Sequence, residues 1–447
     1  MGATSRYTLK DELKITPREF VALAVPLILS ALSTPLLGAV DTAVIGRLHD
    51  ATAIGGITVG SLIFNTMYWL LGFLRVSTSA FAAQAYGARN GQEIKLMLVR
   101  PLLLAIGFGL LFCLFQDSIQ AVAFWMIQPS DQVKEYAVEY FDIRIYGAPF
   151  ALMNYAIVGW LIGLSRVRLS LFLQVFINLL NIGLDIVFVF MFNLGISGVA
   201  VATLISEITG FVIGIGLVLR ESHLRKFRLK WEQVVDTGKM YEIVRVNRDL
   251  FIRTVCLLTV FGLFTAKGSI FGDDVLAANA ILFQMHFIMA YIFDGIANAA
   301  SILVGRAVGA RDRGLYNQAV RLSATSAFLV SMVLAVIVLS LDAYIISLFT
   351  SVEAVKQIAV DYVYWVAMFP IVGFWGLQLQ GIFSGATEIQ PIRNSMIIAL
   401  IVFLISCWFF IPFLGNHGLW FSFILFSLSR SLVLWKYLFA IEKRLTV

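Results

Sequence analysis

The stretch VKEYAVEY, residues 133–140, returns as VKQIAVDY at residues 355–362, 222 positions later. Further pairs recur in the same order at nearly the same separation: AYGAR at 85–89 with AVGAR at 307–311, Gly159 and Gly163 with Gly381 and Gly385, and LGISG at 194–198 with LGNHG at 414–418, where the separation falls by two. Self-similarity at one period and in one order is typical of internal duplication. The sequence therefore predicts two copies of one structural unit.

The composition indicates what that unit is made of. Of the 447 residues, 60% are hydrophobic and only 13% are charged, about half the charged share of a soluble domain. Apolar stretches of roughly twenty residues recur to the end of the chain, and each is long enough to cross a bilayer as a helix. This pattern predicts an all-α integral membrane protein.

Twelve spans can be assigned, six in each copy, with a short interfacial helix expected between the third and fourth. The predicted spans are 19–45, 54–83, 96–116, 133–164, 169–192, 196–220, 247–267, 276–305, 318–341, 355–385, 392–413 and 418–441.

Basic residues predict the orientation of these spans. With a cytoplasmic N-terminus, 27 of the 33 Lys and Arg residues fall on the inner side, as the positive-inside rule requires. Both termini are then cytoplasmic, and we expect a bacterial inner membrane.

An even number of spans per copy gives the two copies the same orientation. The predicted organisation is an N-terminal lobe at 1–222, a polar cytoplasmic linker at 223–246 and a C-terminal lobe at 247–447. Such repeats are related by an axis along the membrane normal, with a cavity between them. Two pseudo-symmetric six-helix bundles around a cavity favour transport by alternating access.

Carboxylates inside the apolar spans are the strongest functional signal, because a charge in hydrocarbon is costly. Asp41 lies in the first span and Asp185 in the fifth, where Asn178 and Asn181 precede it at a spacing that puts all three on one helix face. Asp41 and Asp185, with Asn181 and Thr203 beside them, are the candidate coupling site. The pair could exchange a proton, or its oxygens could hold Na⁺, and the residues alone do not choose.

Other polar residues in this copy are weaker candidates. Tyr140, Asn154 and Asn178 could line a substrate cavity, although packing alone is the favoured interpretation for Asn178. The competing interpretation of the whole set is polar side chains that only hold helices together. Pro26 interrupts the first span, and a proline inside a helix removes a hydrogen bond and favours a bend.

Several function classes find no support in the sequence. The net charge of +6 is spread over loops, which gives no indication of nucleic-acid binding. The three cysteines and four histidines show no metal-ligand spacing, and no phosphate-binding loop for ATP is present. We expect no cofactor beyond a coupling ion, no resident metal apart from that possible Na⁺, no enzymatic activity, and a monomer whose partners are lipids and small amphipathic compounds.

Six stretches of the sequence, taken together, resemble a known protein family. TPLLGAVDTAVIGRL at 34–48, NLLNIGLD at 178–185, ATLISE at 202–207, VNRDLFIRT at 246–254, IRNSM at 392–396 and LGNHGLW at 414–420 resemble the multidrug and toxic compound extrusion (MATE) family, and most closely its DinF-like branch. The resemblance covers almost the whole chain.

The resemblance implies cation-coupled export of amphipathic, often cationic, compounds by two V-shaped bundles. It assigns roles to Asp41, Asn181, Asp185, Thr203 and Tyr140, and makes Pro26 the bend of the first helix. The tenth span lacks the acidic residue of the NorM-like branch, so we expect coupling in the N-terminal lobe.

Three rival functions need different residues. A flippase for lipid-linked precursors would need a cavity rich in Lys and Arg, whereas only Arg75, Arg144 and Lys267 are available. An intramembrane enzyme would need a catalytic set, and none is visible. A channel is disfavoured, because duplication with a bendable helix suits gated exchange better.

Overall fold

The computed structural model describes residues 16–45, 51–221 and 229–444, and it describes side chains there except at 34–45, 51, 439–440 and 442–444. Within these ranges every regular element is a helix. The helices of the first half are α1 (Pro17–Ile45), α2 (Ala51–Leu71), α3 (Phe73–Gly87), α4 (Gly91–Leu114), α5 (Gln116–Ile127), α6 (Asp131–Arg144), α7 (Ala148–Gly163), α8 (Val167–Ile186) and α9 (Gly195–Arg220).

The second half continues with eight helices. They are α10 (Trp231–Val234), α11 (Thr237–Gly268), α12 (Asp273–Ala310), α13 (Arg313–Ser340), α14 (Asp342–Phe349), α15 (Glu353–Gly385), α16 (Ile389–Leu414) and α17 (Asn416–Arg444).

The predicted twelve-helix membrane fold is confirmed. Eleven helical segments of the described ranges are long and apolar enough to cross a membrane, and α1, with 29 residues, is the twelfth long helix. The expected interfacial helix is α5, whose Trp125 is exposed. The chain is therefore a multi-pass membrane protein.

The seventh span begins ten residues before its predicted start. An Asp236 carboxylate oxygen accepts a 2.9 Å hydrogen bond from the backbone N–H of Lys239, which caps the start of α11. Hydropathy did not predict this part of the helix, because the first turns of α11 are polar and only its later part is apolar.

Arg100 of α4 holds the short helix α10, which precedes α11. Its guanidinium donates to the backbone carbonyls of Gln233 at 2.7 Å and Val234 at 3.3 Å, and pairs with Glu93 at 3.1 Å. A buried arginine with three acceptors satisfies carbonyls that a helix end would otherwise leave unpaired. The linker that follows α9 is thus anchored at α10.

By packing, the described chain forms two compact units. One runs to Ile28 and resumes at Cys256, and the other spans Leu29–Val255. The first helix therefore contributes to both units. The boundary between them follows Ile28, which lies two residues after Pro26. The lobe boundaries predicted from the repeat stay a prediction.

The duplication is visible in the packing of each half. A Cβ atom added at Gly163 would overlap the carbonyl oxygen of Ser79, and one at Gly385 would overlap the carbonyl oxygen of Ser301. Because 79 and 301 differ by the same 222 positions as 163 and 385, the two halves make the same close approach. The corresponding helix pairs, α3 with α7 and α12 with α15, are therefore equivalent.

Candidate functional site

A polar face runs along α8 in the unit that spans Leu29–Val255. Gln174, Asn178, Asn181 and Asp185 recur every three or four residues, which keeps them on one side of the helix. Asn181 and Asp185 are buried, and Asp185 is only 1% exposed. The stripe predicted from the sequence is thus one turn longer than expected, because Gln174 also belongs to it.

The first half of this stripe faces α1. The hydroxyl of Ser30 donates a 2.5 Å hydrogen bond to the side-chain oxygen of Gln174, and the amide of Asn178 donates to the hydroxyl of Ser33 at 3.5 Å. Residue numbers rise together in both pairs, so α1 and α8 run in the same direction. Asn178 therefore makes the kind of interhelical bond that its packing interpretation anticipated.

Asp41 continues the α1 side of this arrangement. It lies eleven residues after Ser30, and Asp185 lies eleven residues after Gln174. The side chain of Asp41 is outside the described residues, but its position on α1 is within the helix. Equal steps of eleven residues, about 16 Å along each axis, correspond to the same register on two parallel helices.

The second half of the stripe faces α9. The Asn181 amide donates a 3.2 Å hydrogen bond to the hydroxyl oxygen of Thr203, and that hydroxyl donates to the backbone carbonyl of Val199 at 3.1 Å. Both Thr203 bonds together fix the direction of its hydroxyl. The Asn181 amide nitrogen is committed to Thr203, which leaves its oxygen as an acceptor beside Asp185.

A change in helix type follows Asp185 directly. Residues Val187–Met191 form a π-helical turn that continues α8. Such turns hold one residue more than an α-helical turn and are frequent at functional sites. Asp185 thus lies at the end of the regular α-helix, where the backbone hydrogen bonds change from the α-helical to the π-helical pattern.

Tyr140 and Asn154 belong to other contacts of the same unit. The Tyr140 hydroxyl accepts hydrogen bonds from Arg144 at 2.6 Å and Ser61 at 3.3 Å, and its ring packs on Gly60. The Asn154 amide donates to the backbone carbonyl of Glu207 at 2.9 Å. In the described part of the chain, no hydrogen bond joins Tyr140 or Asn154 to the Asn181–Thr203 pair.

Pro26 lies within an unbroken α1. Two residues later, Ile28 packs on Gly295 of α12 so closely that a Cβ at Gly295 would clash with the Ile28 backbone. Pro26 removes one backbone hydrogen bond of α1. The missing bond lies close to Ile28, which contacts α12, and to Ser30, which bonds α8.

Two further ionisable residues lie in the unit that includes Cys256 and the residues after it. His286 is buried among rings, the nearest being Phe369 with a centroid distance of 4.0 Å, and its Nδ1 has no hydrogen-bond partner among the described residues. Asp294 accepts a 2.9 Å bond from Asn298 of its own helix.

Sequence reasoning missed Ser30, Ser33 and Gln174 as members of the site. Their signal was present, since serine and glutamine at helical spacing inside apolar spans mark faces that meet other helices. It also assigned no partner to Arg144 and no role to Glu207, and the structure brings these two residues into one neighbourhood around Gly147.

Comparison with known proteins gives consistent results. The family model described as MatE matches residues 26–187 and 251–409. The DNA damage-inducible protein F of Escherichia coli (strain K12) is 37% identical over 412 residues, covering 92% of this chain and 90% of the relative. The multidrug export protein MepA of Staphylococcus aureus (strain bovine RF122 / ET3-1) is 20% identical, covering 95% and 94%.

A solved structure supports the fold independently. The outward-facing conformation of a multidrug resistance MATE family transporter of the MOP superfamily superimposes with a TM-score of 0.86 at 19% identity, covering 98% of both chains. At this identity the likeness establishes the arrangement of helices and no more.

Proposed function

The chain belongs to the MatE family, and from that membership we propose that it exports amphipathic organic compounds in exchange for H⁺ or Na⁺. One relative is named as a multidrug export protein, and a similar structure is described as a multidrug resistance transporter. A multidrug exporter is the general function that these relatives support. The exchange for a cation, the ion and the residues that bind it are our proposal.

The observation that supports the proposed coupling site is the register between α1 and α8. Hydrogen bonds at Ser30 and Ser33 set the two helices side by side, and Asp41 and Asp185 follow at equal distances along them. Two carboxyl groups at one level, with the amide oxygen of Asn181 nearby, supply the hard oxygen ligands that Na⁺ requires. The same two acids could instead share and release a proton.

In the proposed cycle the first helix moves when the cation binds. Pro26 weakens α1 at its passage between the two units, so the part of α1 that bears Asp41 can bend without unfolding the part that packs on Gly295. Cation binding then favours the bent helix and release of substrate outside. Alternating access of the two lobes then carries the bound cation inward, where cytoplasmic substrate exchanges for it.

Substrate contacts are proposed to be largely apolar, with Tyr140, Asn154 and Asn178 as the polar contributors. In the described conformation each of the three is engaged with a neighbouring residue or helix. Their part in substrate binding therefore requires that these bonds exchange for bonds to the substrate. We also propose a monomer in a bacterial inner membrane with both termini cytoplasmic, and no enzymatic activity.

The flippase alternative gains no support from Arg144, one of its few candidate basic residues. Its guanidinium is held by Tyr140 and lies over the ring of Phe64, so these contacts already occupy it. No specific observation favours that function over drug export.

The deciding experiment measures drug uptake into everted vesicles under an imposed pH gradient and then under an imposed Na⁺ gradient. Uptake driven by one gradient alone identifies the coupling ion. If neither gradient changes uptake while the protein is present and folded, the antiport proposal is wrong.

A further inference from the structure

The fourth membrane span is interrupted halfway by a short 3₁₀ turn, Ile145–Gly147, between α6 and α7. Pro149 explains the interruption, because it has no N–H to bond the carbonyl of Ile145, four residues earlier. The thiol of Cys113 on α4 donates to that carbonyl instead, at 3.4 Å. Short 3₁₀ stretches inside helices often mark points of movement.

Arg144, the last residue of α6, lies directly at this turn. Its guanidinium lies over the rings of Phe64 at 4.7 Å, Tyr140 at 5.5 Å and Tyr68 at 5.9 Å, and donates to the Tyr140 hydroxyl. In the part of the chain that the structure describes, its Nε atom has no hydrogen-bond partner and no carboxylate forms an ion pair with it. The charge is thus held by ring faces and one hydroxyl.

Glu207 of α9 approaches the same turn from the other side. It is 9% exposed, and its Oε2 atom packs so closely on Gly147 that a Cβ there would overlap it. Among the described residues Oε2 has no hydrogen-bond partner, although Arg144 is near enough to interact with its charge. An acid and a base therefore lie on either side of a break in a membrane helix without forming an ion pair.

An ionised carboxylate in this position is expensive, because it is desolvated and its Oε2 receives no hydrogen bond. Two arrangements remove that cost. Either Glu207 carries a proton while Arg144 stays with Tyr140 and the rings, or Glu207 is ionised and pairs directly with Arg144. The described geometry corresponds to the first arrangement, and a shift at the 3₁₀ turn would produce the second.

We propose that Glu207 is a second proton-binding site of this transporter, with Arg144 as the counter-charge that it engages when it gives up the proton. The ligand is a proton and not a metal ion or an anion. Arg144 repels a metal cation, Glu207 repels an anion once it is ionised, and the described residues contain no cluster of three metal-binding side chains. The site is separate from Asp41 and Asp185. The part of this proposal that gives the site a role in transport rests on the proposed export function.

Three neighbouring helices contribute groups that the protonation of Glu207 must accommodate. Tyr68 on α2, Arg144 on α6 and Tyr155 on α7 interact electrostatically with Glu207, and Arg75 on α3 acts on Tyr155. Arg144 is the nearest positive charge, so its removal should alter the pH at which Glu207 titrates. Tyr140 connects the cluster to the predicted substrate cavity, since any ligand that takes its hydroxyl frees Arg144 for Glu207.

The test is infrared difference spectroscopy of the full-length protein reconstituted in phospholipid vesicles, recorded as the pH is varied. The carbonyl stretch of protonated carboxyl groups should lose one component in Glu207→Gln, and that component should change frequency in Glu207→Asp. Glu242→Gln, an exposed acid paired with Lys239, is the matched control and should keep the component that Glu207→Gln removes. Using both Glu207 variants keeps the test decisive if one of them folds poorly.

The proposal is overturned if neither Glu207 variant changes the carboxyl signal at about pH 7, where ordinary carboxyl groups are ionised. It is supported further if Arg144→Gln changes the pH at which the Glu207 component titrates. None of these readings requires transport, so a failure of the drug-export proposal would leave them intact. Use of the proton in the cycle is tested separately, as loss of pH-driven drug uptake by Glu207→Gln vesicles.

Discussion

Ser30 of α1 donates a 2.5 Å hydrogen bond to Gln174 of α8, and this bond fixes the level at which the two parallel helices meet. The bond between Asn178 and Ser33 repeats the register one turn later. The positions of the two intramembrane acids follow from it, because each lies eleven residues further along its helix. The contact is therefore the structural basis of the proposed coupling site.

This register should be measurable as an interaction energy. Ser30→Ala, Gln174→Ala and the double variant form a double-mutant cycle, and we expect a coupling of about 0.6 kcal/mol, typical of hydrogen bonds between membrane helices. Ser30→Ala combined with Ser206→Ala is the control and should be additive, since the Ser206 hydroxyl bonds its own helix. Unfolding in mixed micelles gives the energies, and an additive test cycle would contradict the assignment.

Replacing Asp41 with Asn should abolish gradient-driven efflux, because the amide cannot ionise and binds a cation less well than a carboxylate. The measurement is drug uptake into everted vesicles, with expression and thermal unfolding as the check on folding. Asp131→Asn, an exposed acid at the start of α6, should leave uptake unchanged. Normal uptake in the Asp41 variant would remove this residue from the mechanism.

Thr203→Val should reduce gradient-driven uptake about tenfold, the loss often seen when a residue that orients a ligand is removed. Valine keeps the shape of threonine but cannot accept the hydrogen bond from Asn181. Thr203→Ser retains the hydroxyl and should retain most activity. Equal activity in both variants would show that the orientation of Asn181 does not matter.

Gly385→Ala should destabilise the protein by about 1–3 kcal/mol, because the new methyl group overlaps the carbonyl oxygen of Ser301 and forces the helices apart. Gly107→Ala is the matched control, since a Cβ at Gly107 has no neighbour within 4 Å. Thermal unfolding of the purified protein compares them. Alanine has the higher helix propensity, so the control should not lose stability. A similar loss in both variants would contradict the assignment to the close approach.

Arg100→Lys should release helix α10, because a lysine ammonium cannot reach both carbonyls that the guanidinium fork binds. Hydrogen exchange at residues 231–235 should become faster, while exchange within α4 stays slow. Arg168→Lys, an exposed arginine at the start of α8, should leave exchange at α10 unchanged. Unaltered exchange in the Arg100 variant would show that α10 is held by other contacts.

The fold was largely predictable from the sequence because the membrane imposes length and composition on every span. The repeat beginning at Val133 and Val355 predicted two bundles, and helical spacing placed Asn181 and Asp185 on one face. The start of α11 was missed because a single side chain, Asp236, caps a helix whose first turns are polar. Composition cannot reveal such a cap.

The partners of polar side chains were the unpredictable part of the site. Tyr140 could be named from the sequence and the family resemblance, and its bond to Arg144 joins residues four apart on α6. The position of Arg144 over the ring of Phe64, however, depends on how α6 packs against α2. Glu207 was visible next to Thr203, yet its position against Gly147 follows from the break at Pro149. Contacts between helices are set by packing, which a periodic pattern in one helix does not encode.

The π-helical turn Val187–Met191 also makes the two copies unequal. Between Gly163 and Gly195 the first copy holds two residues more than the second copy holds between Gly385 and Gly415, where α16 has no such turn. The turn holds one residue more than an α-helical turn and so accounts for part of this difference. The otherwise twofold scaffold is therefore asymmetric in the segment that contains Asp185, the acid proposed to bind the driving ion.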